Sequence, residues 1–174
     1  MPITLTSGNM TLPDGKLLGT GQLIQSAFAQ SGPARQTITS AVPVAVTGLS
    51  IAFTPLNPSS TVVITAYISH SLTYVSGFAI YKDGTPTVST AGFTNNNAAN
   101  SQITQYQTDD TTGTTITTTR ITAYDIAGNT LQRTYAVFGN AYWPSVTYNL
   151  FINNRNENDM ASFSYMHIFE YETN

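Results

Sequence analysis

The sequence contains no cysteine, few charged residues and no long apolar run. Because none of its 174 residues is Cys, neither a disulfide nor a thiolate metal site can form. Charged side chains make up 9% of the chain, against about 25% in ordinary soluble proteins. No apolar run approaches the roughly 18 residues that a membrane helix needs, so no membrane insertion is predicted. Thr, Ser and Asn supply the polar surface instead, a composition common in secreted, cell-surface and virion proteins.

Positive charge is scarce and scattered. The six Lys and Arg residues are spread along the whole chain, and the formal net charge is −3. Binding to nucleic acid needs a group of cations that neutralises several phosphates, so no nucleic-acid ligand is predicted. The opening residues MPITLTSGNM have neither the basic nor the apolar segment of a signal peptide, and none is predicted.

The main pattern present is an alternation of side chains with a period of two. It is clearest in residues 62–69, where Val, Ile and Ala at even positions share one face of the predicted strand. Residues 82–84, Lys-Asp-Gly, form a strong tight-turn signal, and residues 125–130 form another turn. The final strand, residues 161–171, is rich in aromatic side chains. Turn signals recur about every 8–12 residues, which predicts an all-β, jelly-roll-like antiparallel β-sandwich.

Two segments lack this alternation. Residues 1–35 carry several glycines before Pro33, and we interpret them as an extended N-terminal arm that attaches to another protein. Residues 36–174 then form the sandwich. Within it, residues 90–113 form a long polar loop, and loops of this length tend to be functional or disordered.

Several stretches together resemble a family of small bacteriophage structural proteins. They are PDGK at 13–16, VTGLSIAFTPLNPSSTVVITAYIS at 46–69, FAIYKDGT at 78–85 and FINNRNENDMASFSYMHIFEYE at 151–172. In that family a Gly-Leu-Ser and Thr-Pro stretch precedes an Asp-Gly hairpin, and an aromatic strand closes the chain. The resemblance implies a jelly-roll-like sandwich that assembles as a trimer on the exterior of a phage particle. Residues 90–145 depart from the family pattern.

Candidate contact residues lie in the segments that depart from the family. Asp109 and Asp110 are adjacent, so on a strand they would point to opposite faces and would not by themselves form a glycosidase carboxylate pair. Tyr142 and Trp143 precede a strand-ending Pro144, where exposed rings would suit a host surface glycan. The wider aromatic set has a second interpretation, as sandwich core and subunit interface: Tyr135, Phe138, Tyr142, Trp143, Tyr148 and Phe151.

Catalytic and metal-binding signals are weak. His70 and His167 each lie in a predicted strand with no second His nearby, which favours a hydrogen-bonded or interface role over a metal ligand. Residues 153–159, NNRNEND, are rich in oxygen ligands but lack the order of a calcium loop, so a polar hairpin loop is preferred. No G-x-S-x-G, P-loop or G-x-G-x-x-G motif is present. We therefore predict no enzyme activity, no cofactor and no metal.

Four functions remain as hypotheses from the sequence. The first is a tail-fibre or host-contact module on the virion exterior, self-associating as a trimer and attached to other virion proteins through residues 1–35. The second is a capsid decoration (cement) protein that stabilises the head. The third is a polysaccharide-cleaving enzyme, which needs two carboxylates facing one groove. The fourth is a carbohydrate-binding module.

Overall fold

The computed structural model describes most of the sandwich and short pieces of the N-terminal segment. The described residues are 4–6, 9–11, 17–18, 21–72, 75–87, 103–106, 113–141, 148–155, 157 and 159–172. No helix is present in these ranges, and so no helix there could span a membrane.

Fourteen strands occur in the described residues. In chain order they are β1 (Thr4–Thr6), β2 (Asn9–Thr11), β3 (Leu17–Leu18), β4 (Leu23–Ser31), β5 (Gln36–Ile38), β6 (Val44–Phe53), β7 (Thr61–Leu72), β8 (Val75–Lys82), β9 (Thr85–Pro86), β10 (Ile103–Tyr106), β11 (Thr117–Ile126), β12 (Arg133–Ala141), β13 (Leu150–Ile152) and β14 (Ser164–Tyr171).

The strands form three antiparallel sheets. A small sheet consists of β1, β2 and β3. A five-stranded sheet has the order β10-β8-β12-β6, with β9 also paired to β8. A six-stranded sheet has the order β4-β14-β7-β13-β5, with β11 also paired to β7. Strands of the two larger sheets contribute to one hydrophobic core, so the all-β sandwich predicted from the sequence is confirmed.

Strand β7 organises the six-stranded sheet. Its residue His70 pairs with Thr117 of β11 and also with Ile152 of β13. Residues 61–67 of β7 pair with β11 and with β14. Because a strand has only two edges and β11 occupies one of them, β13 and β14 lie end to end along the other. Strands β5 and β4 repeat this arrangement one position further out.

The core has the alternation that the sequence predicted for residues 62–69. The even positions are fully buried, namely Val62, Ile64, Ala66 and Ile68. On the opposite face, Val63 and Tyr67 are half-buried. The Lys-Asp-Gly turn is also confirmed, because Asp83 (φ 50°) and Gly84 (φ 78°) both have the positive φ of a tight hairpin turn between β8 and β9.

One expectation from the sequence is corrected by the structure. Leu23–Ser31 falls within the predicted arm, but it pairs along β14 and is a strand of the sandwich, since its alternate side chains pack on the core. In the neighbouring strand β6, Gly48 has a positive φ of 83° and lies at a register shift.

Candidate functional site: an aromatic face on the six-stranded sheet

The outer surface of the six-stranded sheet carries a group of aromatic rings. Along β14, Met166 and Ile168 are fully buried in the core, and the odd-numbered residues of the strand lie on the opposite face. Those residues are Tyr165, His167, Phe169 and Tyr171. Phe28 from β4 and Tyr67 from β7 lie beside them. We call these six residues the aromatic face.

Strand register places the rings side by side. Phe28 pairs directly with His167, and Tyr165 pairs directly with Tyr67. Directly opposed residues on antiparallel strands project from the same face of a sheet, with Cβ atoms about 5 Å apart. A one-residue slip of β14 would move its aromatic side chains to the core side. The aromatic face is therefore fixed by the same pairing that builds the core.

The rings contact one another in favourable geometries. Tyr67 and Tyr165 stack with centroids 4.8 Å apart and planes inclined by 23°. Phe28 meets His167 edge to face, also at 4.8 Å between centroids. His167 and Phe169 stack at 5.7 Å. Such pairs contribute about 0.5–1.5 kcal/mol each beyond their burial, so the rings form a preorganised surface.

The aromatic face is only partly covered and carries little charge. Phe28 is 55% exposed, and the other five residues are half-buried. The guanidinium of Arg120 lies 5.7 Å from the centroid of the Tyr67 ring, a cation–π contact. Contiguous exposed apolar area on a small domain typically marks a surface that contacts a partner.

The four contact residues predicted from the sequence lie outside the described residues: Asp109, Asp110, Tyr142 and Trp143. The rest of the wider aromatic set is described. Tyr135 and Phe151 are buried, and Phe138 is half-buried, with its ring stacked on Tyr81 at a centroid distance of 4.0 Å. Tyr148 is also half-buried. Of these four residues, only Tyr135 is part of the hydrophobic core; Phe138 and Phe151 are neighbours of core residues in β12 and β13 and project from the opposite faces of those strands.

The two histidines have different surroundings. His70 is fully buried, and its Nε2 lies 2.8 Å from Oγ1 of Thr119. His167 lies in the aromatic face between Phe28 and Phe169. Within the described ranges, no three His, Asp or Glu residues are grouped so that they could hold a metal ion.

The oxygen-rich loop at residues 153–159 is organised by an arginine. The guanidinium of Arg155 donates hydrogen bonds to both carboxylate oxygens of Asp159 and lies 3.3 Å from a carboxylate oxygen of Glu157. Asn153, at the start of the loop, is buried and has a positive φ of 61°. The described carboxylates of this loop therefore pair with a cation of the chain itself.

An ionic group lies where β8, β11 and β12 meet. Lys82 Nζ lies 2.8 Å and Arg133 Nη1 lies 3.2 Å from the same carboxylate oxygen of Asp125, and the Tyr135 hydroxyl donates to that oxygen. Burial by itself raises the pKa of Asp125, but the hydrogen bonds from its three partners outweigh burial and hold the pKa below its ordinary value of 3.8. Burial and the hydrogen bond to Asp125 raise the pKa of Tyr135. This group crosslinks the two large sheets.

We expect Asp125→Asn to lower the free energy of unfolding by about 1–2 kcal/mol, because Arg133 is only 4% exposed and would lose its counter-charge. Urea denaturation at pH 7 measures the change. The Asp125 carboxylate stabilises the fold above its unfolded pKa, and this contribution is lost as the pH falls through the lower folded pKa. The difference between the two proteins should therefore shrink below pH 4, and a difference that persists unchanged would contradict this account.

A shallow cavity of about 200 Å³ adjoins this ionic group. Lys82, Asp83, Asn129 and Arg133 are among the residues that line it. Oδ1 of Asp83 accepts a hydrogen bond from the backbone N–H of Thr134, so this carboxylate holds the turn. The cavity is thus lined by groups that fix a hairpin and a neighbouring loop.

A second buried carboxylate holds the loop between β6 and β7. Glu170 is fully buried and accepts hydrogen bonds from the backbone N–H groups of Leu56 and Asn57 and from the side chains of Ser60 and Gln25. Burial alone raises the pKa of Glu170, but these hydrogen bonds outweigh it and hold the pKa below its ordinary value of 4.5. Thr54-Pro55 and Ser59-Ser60 therefore lie at the two ends of a loop between β6 and β7 that binds the Glu170 carboxylate of β14.

Comparison with known proteins adds no assignment: no protein-family model matches this sequence, and no curated protein matches it with a significant score. The aromatic face is consequently the surface on which a function can be argued. Sequence reasoning missed Phe28, because it lay in the predicted arm. The sequence shows that β14 is rich in aromatic residues, but it does not show that Tyr67 of β7 lies beside them, because that depends on strand pairing.

Proposed function

We propose that this chain is a non-enzymatic structural protein on the exterior of a bacteriophage particle, where it self-associates as a trimer and forms part of a tail-fibre or host-contact module. The observation that carries the proposal is the partly exposed, nearly uncharged aromatic face of an otherwise well-packed sandwich. The family resemblance of residues 46–69 and 151–172 supports the virion assignment and the three-fold symmetry.

The described polar groups have structural roles that support a non-catalytic function. The carboxylates of Asp125 and Glu170 are bound by groups of the chain itself, and each connects strands or loops that are distant in sequence. A glycosidase needs two carboxylates on opposite sides of one groove. A closed three-fold ring, in contrast, needs an exposed surface that fits a different surface of the next copy, and the partly exposed aromatic face is available for such a contact.

The first test is the oligomeric state and its dependence on the aromatic face. We expect the wild-type protein to have the mass of three chains, or of a multiple of three, in light scattering. Phe28→Ser should weaken the three-fold association by roughly tenfold or more, because a ring in the contact would be lost. Phe163→Ser is a matched control, since Phe163 is 51% exposed, close to the 55% of Phe28, but lies outside the aromatic face.

A monomeric wild-type protein would contradict the proposed assembly, and equal effects of the two Phe substitutions would contradict the use of this face. A monomer that binds glycans on an array would instead favour a carbohydrate-binding module. Circular dichroism of each variant verifies that the sandwich has folded before the masses are compared.

The second test is the position of the chain on the particle. Gold-labelled antibodies against this chain should bind intact virions at the tail, and they should block adsorption to the host. Labelling over the head would favour a capsid decoration protein, and absence of label on intact particles would overturn the virion assignment.

Deleting residues 1–20 tests attachment, because the deletion leaves every strand of the sandwich in place. We expect the shortened chain to fold but not to be incorporated into particles.

A further inference from the structure

Strand β11 has an open edge. All ten of its residues pair with β7, from Thr117 opposite His70 to Ile126 opposite Thr61, with no register shift. Within the described ranges, no strand pairs with the other side of β11. An unpaired row of backbone N–H and C=O groups of this length is a template for another strand.

The other edges of the two large sheets are short or covered. Strands β5, β9 and β10 have four residues or fewer, and β9 ends in a proline. The edge of β6 is covered by the side-chain amide of Gln36, which donates to the C=O of Ala45 and accepts from the N–H of Thr47. Strand β4 lies beside that same edge, where Ser31 Oγ donates to the C=O of Thr47 at 2.6 Å. Edge protection is therefore present on these strands, and the described residues supply none to β11.

The composition of β11 also favours strand addition. It contains no proline, no glycine and no bulge, and six of its ten residues are Thr or Ile. Of its two charged residues, Asp125 is bound by Lys82 and Arg133, so Arg120 supplies the charge on the outer face. Tyr124 and Ile126 on that face are 59% and 72% exposed. A strand of this kind would gain both backbone pairing and apolar burial from a partner strand.

We propose that β11 pairs with β11 of a second copy of this chain, antiparallel about a two-fold axis, with Thr122 opposite Thr122 of the second copy. The outer residues would then be matched as Arg120 with Tyr124 and Thr118 with Ile126 across the axis. The two six-stranded sheets would then form one continuous sheet, and the exposed side chains of Tyr124 and Ile126 would pack against the second copy.

The pairing of side chains on the outer face favours this register. Residues directly opposed on antiparallel strands project from the same face, so the outward residues Thr118, Arg120, Thr122, Tyr124 and Ile126 must meet one another. Centring the axis on Arg120 would oppose two like charges, which destabilises a strand pair. Centring it on Thr122 instead places each guanidinium opposite an aromatic ring, a cation–π arrangement that Arg120 already adopts with Tyr67.

This contact is separate from the proposed three-fold assembly, and the two contacts together would join two trimers into a particle of six chains. Strand β4, which carries Phe28, lies at the opposite side of the sheet from β11 in the order β4-β14-β7-β11. Substituting Phe28 should therefore leave the β11 contact intact, and failure of one contact does not entail failure of the other.

The absence of cysteine permits a direct test of the register by disulfide trapping in the full chain. Under mild copper-phenanthroline oxidation, Thr122→Cys should give a covalent dimer on a non-reducing gel, because opposed Cβ atoms lie about 5 Å apart, close to disulfide range. Thr118→Cys and Ile126→Cys should each stay largely monomeric alone but crosslink when the two proteins are mixed. The dimer yield of Thr122→Cys, and that of the mixture, should each be at least fivefold higher than the yield of Thr118→Cys alone or of Ile126→Cys alone.

Ala52→Cys is the matched control, since Ala52 is an exposed small residue on a strand of the other large sheet. Equal crosslinking of Ala52→Cys and Thr122→Cys would show random collision and overturn the proposal. Efficient crosslinking of Thr118→Cys alone would indicate a different register or a parallel pairing and would also overturn it. If Thr122→Cys stays monomeric after oxidation, although its thiol is reactive and circular dichroism shows an intact fold, the proposal is also overturned.

Discussion

Replacing Glu170 with alanine is expected to lower the free energy of unfolding by about 3–5 kcal/mol, because two buried backbone N–H groups and two polar side chains would lose their acceptor. For a chain of this size, such a loss corresponds to a fall in Tm of roughly 10 °C. Thermal and urea denaturation followed by circular dichroism measure both quantities. Glu170→Gln keeps one acceptor oxygen and is expected to cost about 1–3 kcal/mol, so it serves if the alanine variant does not fold.

The same carboxylate predicts a dependence of stability on pH. Since the folded pKa of Glu170 lies below its ordinary value of 4.5, ionisation of this group stabilises the fold above pH 4.5. The contribution is lost as the pH falls through the folded pKa, so wild-type stability should decline below pH 4.5, and Glu170→Gln should decline less. Glu157→Ala is the control: Glu157 is an exposed acid, and its removal should change stability by less than about 0.5 kcal/mol. Parallel pH profiles for wild type and Glu170→Gln would refute the assigned role.

Asn153 is the second position with a large expected effect. It is 1% exposed and connects β13 with other strands: its Nδ2 donates to Ser31 Oγ and to the C=O of Gly32, each at 2.8 Å, while its Oδ1 accepts from Ser164 Oγ at 2.6 Å. Its backbone N–H donates to the C=O of Ser69. These hydrogen bonds hold the C-terminal end of β13 and the N-terminal end of β14 together beside β7.

Two substitutions separate the side chain of Asn153 from its backbone. Asn153→Gly keeps the positive φ of 61° accessible and should cost about 2–3 kcal/mol through lost hydrogen bonds. Asn153→Val loses the same bonds and forces a β-branched residue into the left-handed region, so it should cost about 1–2 kcal/mol more. Urea denaturation of both variants measures the difference, which isolates the backbone contribution.

Asp83 provides the comparison for Asn153. It also has a positive φ, of 50°, but it is exposed in a hairpin turn and its side chain accepts one hydrogen bond, from the N–H of Thr134. Asp83→Gly should therefore change stability by less than about 1 kcal/mol. If Asp83→Gly proved as costly as Asn153→Gly, the buried hydrogen bonds would not be the source of the effect.

The family-like stretch at residues 46–69 has a structural explanation in these contacts. Gly48 allows β6 to shift register with a positive φ, where a Cβ would lie 3.1 Å from the Cα of Ser31. Beyond β6, the loop leading into β7 binds Glu170 through Ser60 and two backbone N–H groups. These residues therefore have structural roles, and the proposed function depends on the surfaces that the fold presents.

The amino-acid sequence by itself determined the fold class. The period of two at residues 62–69 defined which side chains share a face, and Asp83 with Gly84 defined a tight turn, because both signals depend on local backbone geometry. Both are present in the structure as predicted. The buried role of Ile64 and Ile68 followed from the same alternation.

Only the tertiary structure decided which faces are covered and which distant residues meet. In β14 both faces are apolar, so alternation could not distinguish the buried Met166 and Ile168 from the outward Tyr165 and Phe169. That choice depends on where the second sheet packs, as does the pairing of Glu170 with a loop 110 residues away at Ser60. Local periodicity assigns side chains to a common face, but the burial of that face is set by long-range strand pairing, which a single strand does not encode.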